Sequence, residues 1–151
     1  MKTILVPVDF SPVTAAVTAQ ALALARAWRA RLVLLTVTAP AAVMGDSALA
    51  MESGLALTAA AEAATAKNLA RLRTRLGRSG LAVRTVALLG SPSLLIAEQA
   101  AKHRASCIVM GSHGHGAFYD LLLGSTTQGV LRRVRCPVLV VPPVRSGRAG
   151  A

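Results

Sequence analysis

The chain has few aromatic and few acidic residues. Only 3% of its 151 residues are Phe, Tyr or Trp, and six acidic residues stand against 17 Lys and Arg, which gives a formal net charge of +11. Every apolar run is shorter than the roughly 18 uncharged residues that a membrane span needs. The first residues, Met1-Lys2-Thr3-Ile4, carry no signal-peptide cleavage pattern. We therefore expect a cytoplasmic protein with no membrane segment.

Several residue patterns of catalytic sites are also missing. The two cysteines, Cys107 and Cys136, lie in strand-like apolar runs, which disfavours a disulfide, a metal pair or a catalytic thiol. The phosphate-binding pattern Gly-x4-Gly-Lys-Ser/Thr does not occur, and no Lys or Arg lies between Gly111 and Gly129. Without such a cation or an evident base, the stabilisation of a phosphoryl-transfer transition state is weak. We predict no catalytic residue and, at most, slow hydrolysis.

The basic residues that are present form groups at the predicted helix ends, where cations complement the helix dipole. The groups are Arg26, Arg29 and Arg31; Arg71, Arg73, Arg75 and Arg78; Lys102 and Arg104; and Arg132, Arg133 and Arg135. In a parallel α/β sheet these ends lie at the amino edge of the strands, so most of the charge is predicted to face away from a phosphate site. Scarce aromatics and the lack of a binding motif disfavour nucleic acid as a partner. Solubility or an acidic partner is the expected role of the charge.

Apolar strand patterns alternate with helical ones along the chain. The predicted strands are Thr3–Val8, Leu32–Thr38, Ala82–Leu89, Ser106–Met110 and Pro137–Val141, and the predicted helices are Pro12–Ala30, Leu55–Leu76, Pro92–His103 and Ser125–Arg133. Four of the strands are nearly continuous apolar runs, as strands buried on both faces of a parallel sheet are. Ser11 and Ser91, each followed by Pro, are predicted N-caps. The pattern predicts one α/β domain over residues 1–143, with a link at 39–54 and a disordered tail at 144–151.

Two strand ends carry groups suited to a nucleotide. Asp9 ends the first strand and Gly111 ends the fourth, and ligands of open α/β sheets bind at such ends where the strand order reverses. The pattern Gly-x2-Gly-x9-Gly-Ser places Gly111, Gly114 and Gly124 so that the backbone approaches a ligand and the N–H groups of Ser125, Thr126 and Thr127 meet an anion. The plainer readings are that Asp9 caps a helix beside Ser11 and that the glycines are ordinary turn residues.

With these fragments the sequence resembles the nucleotide-binding branch of the universal stress protein family. The resemblance covers nearly the whole chain: residues 4–11, Gly90-Ser91-Pro92, residues 109–114, residues 124–127 and residues 136–141. It implies a single-domain, open, five-stranded parallel sheet in the order 3-2-1-4-5 with helices on both faces. That fold is Rossmann-like, of the type found in the adenine nucleotide alpha hydrolases. The first and fourth strands are then neighbours.

The resemblance also implies a set of binding residues. Pro7, Val8 and Asp9 are expected to line the adenine and ribose end, and Val37 to meet adenine through its backbone. Met110, Gly111, His113 and Gly114 are expected to flank the ribose and α-phosphate, with Gly124, Ser125, Thr126 and Thr127 around the phosphates. The implied ligand is ATP, ADP or AMP, with Mg²⁺ or Mn²⁺ held through the phosphates. The two loop histidines, His113 and His115, have no third ligand beside them, so no protein metal site is expected.

Two positions depart from the family pattern. Ser106 and Cys107 stand where an acidic residue often precedes the fourth strand, and His115 stands where a basic residue is common, which predicts weaker phosphate binding. Family members commonly pair their last strands in an antiparallel dimer. The resemblance thus implies a homodimer through Val138, Leu139, Val140 and Val141.

The interpretation that we favour is an ATP-binding regulatory or stress-response protein with an unknown protein partner and little or no hydrolysis. A slow ATPase, a sensor of AMP or cyclic AMP, and a nucleotide-free chaperone-like scaffold remain alternatives.

Overall fold

The computed structural model describes residues 1–40, 48–112 and 123–143, and strands and helices alternate along them. The strands are β1 (Thr3–Pro7), β2 (Arg31–Thr38), β3 (Val83–Leu89), β4 (Cys107–Gly111) and β5 (Val138–Val141). The helices are α1 (Thr14–Trp28), α2 (Ala48–Gly77), α3 (Pro92–Lys102) and α4 (Ser125–Leu131). The link at 41–47, the loop at 113–122 and the tail at 144–151 lie outside the described residues.

The five strands form one parallel sheet in the order β3-β2-β1-β4-β5, which confirms the predicted fold. From β1 the chain builds outward through β2 to β3, then returns to the other side of β1 and builds outward through β4 to β5. The order therefore reverses between β1 and β4, and β3 and β5 form the two edges of the sheet.

The core has two halves, one on each face of the sheet. Because successive strand residues point to opposite faces, Ile4 and Val6 pack with α1 and α2, whereas Leu5 packs with α3 and α4. All three side chains are fully buried. Helices cover both faces of the sheet, which explains why the central strands are apolar without alternation. The packing of these helices supports β1 and β4 up to their carboxyl ends.

Two local predictions were wrong. Helix α2 begins at Ala48, within the stretch assigned to a link, because Ala, Leu and Met favour a helix there and Gly54 alone does not break it. Ser11 is not the N-cap of α1. The cap position is Val13, and the Thr14 N–H donates to the Ser11 carbonyl at 2.9 Å, so a tight turn precedes the helix. Ser91 does occupy the N-cap of α3, with Pro92 after it, but makes no side-chain cap bond.

Both cysteines are free thiols on opposite faces of the sheet, Cys107 in the α1–α2 half of the core and Cys136 against the α3–α4 half. Burial raises the pKa of both thiols, which favours the protonated, unreactive form. Across residues 1–40, 48–112 and 123–143, none of the helices has the length and apolar character to cross a membrane.

Candidate functional site

The carboxyl end of β1 is fixed by two hydrogen bonds to β2. The Val8 N–H donates to the Leu35 carbonyl at 2.8 Å, and the Val8 carbonyl accepts the buried Thr36 hydroxyl at 3.0 Å. The chain then turns away sharply, with Phe10 at a φ of 61°. Asp9 lies on this turn with its side chain exposed, and its Oδ1 accepts the Ser11 N–H at 3.0 Å. The turn thus holds the carboxylate at the rim of the sheet.

The carboxyl end of β4 is bonded to β5 and to the start of α4. The Ser112 N–H donates to the Val141 carbonyl at 2.9 Å, and the Gly124 N–H donates to the Ser112 carbonyl at 2.7 Å. The Thr127 hydroxyl lies 2.9 Å from the Gly111 carbonyl and 3.3 Å from the Ser112 carbonyl. Thr127 is 2% exposed. Its hydroxyl proton is therefore used within the protein and ties α4 to β4.

The sheet opens between β1 and β4 at this edge. Their pairing has the register Ile4↔Cys107 and Leu5↔Ile108 and extends no further among the described residues. Each strand stays paired with its outer neighbour to its end, through Pro7↔Leu35 on one side and Gly111↔Val141 on the other. We call the space between the two strand ends, at the point where the strand order reverses, the crevice. Ligands of doubly wound sheets bind in crevices of this kind.

The backbone of Val37 faces the same crevice. The Leu35 carbonyl points toward β1, where it accepts from Val8, and the Thr38 carbonyl points toward β3, where it accepts from Gly90. Backbone polar groups of a strand alternate between its two neighbours, so those of Val37 point toward β1, like those of Leu35. Because β1 ends at Pro7, they point to the space beyond that strand. This geometry suits a hydrogen-bonding ligand such as a purine.

The first turn of α4 forms the other side of the crevice. Gly124 is its N-cap, with extended backbone (φ −69°, ψ 158°) and no side-chain cap bond. The N–H groups of a first helical turn have no acceptor within the helix. Ser125 is exposed and Thr126 is half-buried. With only seven residues in α4, the dipole is short, and individual N–H groups and hydroxyls are what this turn offers an anion.

Most of the residues predicted for the site lie at this one edge of the sheet: Pro7, Val8, Asp9, Val37, Met110, Gly111, Gly124, Ser125, Thr126 and Thr127. Met110 is 4% exposed and packs in the α3–α4 half of the core, so only its backbone faces the edge. His113 and Gly114 lie outside the described residues. The sequence did not predict that Thr36 and Ser112 help to hold the strand ends. A single threonine near the end of the apolar run 32–37 could have indicated Thr36, because a polar residue in a buried strand usually has a hydrogen-bond partner.

Carboxylates and imidazoles do not gather into a metal site in the part of the chain that the structure describes. No group of three or more His, Cys, Asp and Glu side chains close enough for one ion occurs there. Among the described residues, Asp9 borders the crevice with its carboxylate.

Comparison with known proteins places this geometry in a family. The profile described as "Universal stress protein family" matches residues 1–142. Universal stress protein MJ0531 of Methanocaldococcus jannaschii is 42% identical over 62 residues, and MJ0577 of the same organism is 35% identical over 77 residues. These alignments cover 41% and 50% of this chain and 36% and 48% of the relatives. The aligned part thus spans less than half the length of those curated relatives.

Solved structures agree over nearly the whole fold. The structure of MJ0577 matches with a TM-score of 0.84 at 26% identity, covering 96% of this chain and 98% of that one. Universal stress protein UspA from Lactobacillus plantarum matches with a TM-score of 0.82 at 26% identity, covering 93% and 97%. A universal stress protein in complex with cAMP shares the fold, with a TM-score of 0.69 at 23% identity and coverage of 94% and 97%. This chain belongs to the universal stress protein family.

Proposed function

We propose that the protein binds an adenine nucleotide, ATP or a shorter form, in the crevice between the ends of β1 and β4. The observation that carries the proposal is the early end of β1–β4 pairing, at Leu5↔Ile108, while both strands stay paired with their outer neighbours. Strand ends that are each held by an outer neighbour, but not paired with each other, suit a largely preformed site. Membership of a family with a cAMP complex among its solved structures supports the choice of an adenine ligand.

The adenosine half of the ligand would meet β1 and β2. The backbone N–H and C=O of Val37 suit the hydrogen-bonding edge of adenine, with Pro7 and Val8 against the ring. The Asp9 carboxylate accepts from Ser11 at one oxygen, and a carboxylate has further lone pairs that could accept ribose hydroxyls. Thr36 acts as a positioning residue, because its hydroxyl holds the Val8 carbonyl.

The phosphates would meet the first turn of α4. Gly111, Gly124, Ser125 and Thr126 border this side, and Thr127 keeps the turn attached to β4. We assign His113 and Gly114 to the same side from the sequence pattern. A divalent cation, Mg²⁺ or Mn²⁺, would take its oxygen ligands mainly from the phosphates. Its contribution would be to offset phosphate charge in a loop without Lys or Arg.

A nucleotide held in this way suits regulation better than catalysis. There is no Lys or Arg between Gly111 and Gly129, so this segment has no cation to stabilise charge on a transferring phosphoryl group. We therefore propose a nucleotide-dependent regulatory protein with little or no hydrolysis, whose bound nucleotide alters contacts with a partner. AMP and cyclic AMP remain candidate ligands for a specific reason: the carboxylate of Asp9 and the backbone groups of Val37 both serve the adenosine half.

Identification of the bound ligand tests the proposal. The protein is purified without added nucleotide and denatured, and the released small molecules are identified by mass spectrometry. Thermal unfolding is then followed with AMP, cyclic AMP, ADP and ATP, each with and without Mg²⁺. We expect an adenine nucleotide in the released fraction or a rise in unfolding temperature with one of these ligands, since a ligand that binds only the folded state stabilises it. The absence of both signals, at millimolar nucleotide, would refute the proposal.

The exposed edge strand β5 leads to a second prediction, a homodimer. Leu139 is 40% exposed on this strand, and an open apolar edge invites pairing with another strand. We propose antiparallel pairing of Val138–Val141 with the same strand of a second copy, limited to a short register by Pro137 and Pro142. Light scattering at micromolar concentration is expected to give twice the chain mass. Leu139→Lys should give the monomer mass, whereas Leu94→Lys, an equally charged change at an exposed leucine on α3, should not.

A further inference from the structure

The amino edge of the sheet, opposite the crevice, concentrates positive charge. Five segments form it: 1–2, 29–31, 78–84, 102–106 and 132–137. Together they contain ten of the chain's 17 Lys and Arg and no Asp or Glu. The edge therefore has no acidic residue of its own to neutralise it.

The cations at this edge follow the strand order. One basic residue lies at or near the foot of each strand, and across the sheet from β3 to β5 the row reads Arg84, Arg31, Lys2, Arg104 and Arg135. Neighbouring strands are about 4.8 Å apart, so the five strand starts span about 19 Å across the sheet. We call these five residues the basic row.

Part of the basic row is held in place by the protein. The Arg31 Nε donates to the buried Thr3 hydroxyl at 2.8 Å, and the Lys2 ammonium lies 4.8 Å from the centre of the Trp28 ring. Arg104 adopts a φ of 48°, the left-handed conformation that glycine or asparagine usually supplies after a helix. The backbone beneath is also fixed, for example by the Ser106 N–H bond to the Thr3 carbonyl at 2.8 Å.

The positive charge of this edge also affects His103, which lies beside the basic row. The pKa of His103 is lowered first by burial and then by the nearby cations Lys102, Arg31 and Arg84. Protonation of His103 is thus disfavoured where further positive charge is unfavourable, as expected for a region of positive potential.

From the basic row we infer a second binding surface, one that holds the sugar–phosphate backbone of a nucleic acid strand without reading its sequence. A strand in B form carries one phosphate per about 3.4 Å of helix axis, so about six phosphates fit the length of the row. Four of the five residues are arginines, which pair with phosphate through a planar fork of N–H donors. We depart from the expectation drawn from the sequence, where scarce aromatics disfavoured nucleic acid. Few aromatics argue against base stacking and sequence recognition, but contact with the sugar–phosphate backbone needs none.

A matched pair of variants tests this surface in the full-length protein. The edge variant carries Arg84→Gln, Arg104→Gln and Arg135→Gln, and the control carries Lys67→Gln, Arg71→Gln and Arg73→Gln on the flank of α2. All six side chains are exposed and both variants lose the same charge, so their net charges stay matched. The probe is a fluorescent oligothymidylate of about 20 nucleotides. Binding is measured by anisotropy over a range of salt concentrations, with vesicles containing anionic lipid as the competing surface.

We plot the logarithm of the binding constant against the logarithm of the salt concentration and expect a slope near about −3 for the wild type and the control. The edge variant should bind at least about tenfold more weakly at low salt, and its slope should be smaller in magnitude by about 2. Oligomers of other sequence should bind alike. Equal losses in both variants would assign the effect to net charge and overturn the inference. Binding to the vesicles without binding to the oligonucleotide would overturn it as well. The three substituted arginines lie at the edge of the sheet opposite the crevice, so failure here leaves the proposed nucleotide site unaffected.

Discussion

Gly129→Ala is expected to lower the free energy of unfolding by about 1–3 kcal/mol, because it inserts a methyl group where two helices touch. A Cβ at Gly129 on α4 would lie 2.6 Å from the Ser93 Cβ and 2.9 Å from its Oγ on α3. Neither helix can yield freely, since α4 is tied to β4 through Thr127 and α3 packs its Ile96 into the core. Urea unfolding measures the loss. The higher helix propensity of Ala offsets up to about 1 kcal/mol of it.

Two further variants separate the clash from the loss of glycine itself. Gly77→Ala makes the same substitution in α2, where no atom lies within 4 Å of the added Cβ, and we expect it to leave stability unchanged or raise it. Ser93→Gly removes the atoms that clash, so the double variant with Gly129→Ala should recover most of the loss. If Gly129→Ala were as stable as Gly77→Ala, the close approach of α3 and α4 described above would be wrong.

Asp9→Ala is expected to weaken nucleotide binding by about 10- to 100-fold, because hydrogen bonds to a charged group contribute about 1.5–3 kcal/mol and each tenfold is about 1.4 kcal/mol. The substitution removes the carboxylate at the rim of the crevice, and with it the bond from the Ser11 N–H. Titration calorimetry with whichever nucleotide stabilises the protein measures the change.

Asp9→Asn distinguishes the two roles of this side chain. An asparagine oxygen can still accept the Ser11 N–H and keep the turn, but it lacks the charge that strengthens bonds to ribose hydroxyls. We expect an affinity between those of the wild type and Asp9→Ala. Glu62→Ala removes one negative charge from an exposed position on α2 and should leave the affinity unchanged. If Asp9→Ala bound the nucleotide with wild-type affinity, this carboxylate would not be part of the binding site.

The fold was predictable because several features of the sequence agree. Continuous apolar runs such as residues 4–6 and 107–110 are typical of strands covered on both faces, and the helices between them require parallel connections. The strand order came from the family resemblance, since apolar runs alone do not state which strands are neighbours. The start of α2 was missed because Gly45 and Gly54 suggested a link, whereas the Ala, Leu and Met residues from Ala48 onward favour a helix there.

The candidate site was predictable at its strand ends and not in its internal bonds. Asp9, Gly111 and Gly124 follow apolar runs, so their edge of the sheet could be inferred. That Thr127 donates to the end of β4 depends on the exact rotation of α4, which sequence spacing does not determine. The basic row shows the same limit. Charged groups at helix ends can be predicted from the sequence, but the strand order is needed to show that Arg84 of β3 and Arg135 before β5 lie at the same edge of the sheet.

An amide NMR titration of ¹⁵N-labelled protein with ATP and Mg²⁺ tests directly whether a nucleotide lies between β1 and β4. We predict saturable shifts in the amides of Val8, Asp9, Val37, Gly111 and Gly124–Thr127, and none in those of Arg31 and Arg84 at the opposite edge. A groove between α1 and α2, bordered by Thr14, Asn68 and Arg71, offers a competing location. Shifts confined to that groove, or to the amino edge, would contradict the account.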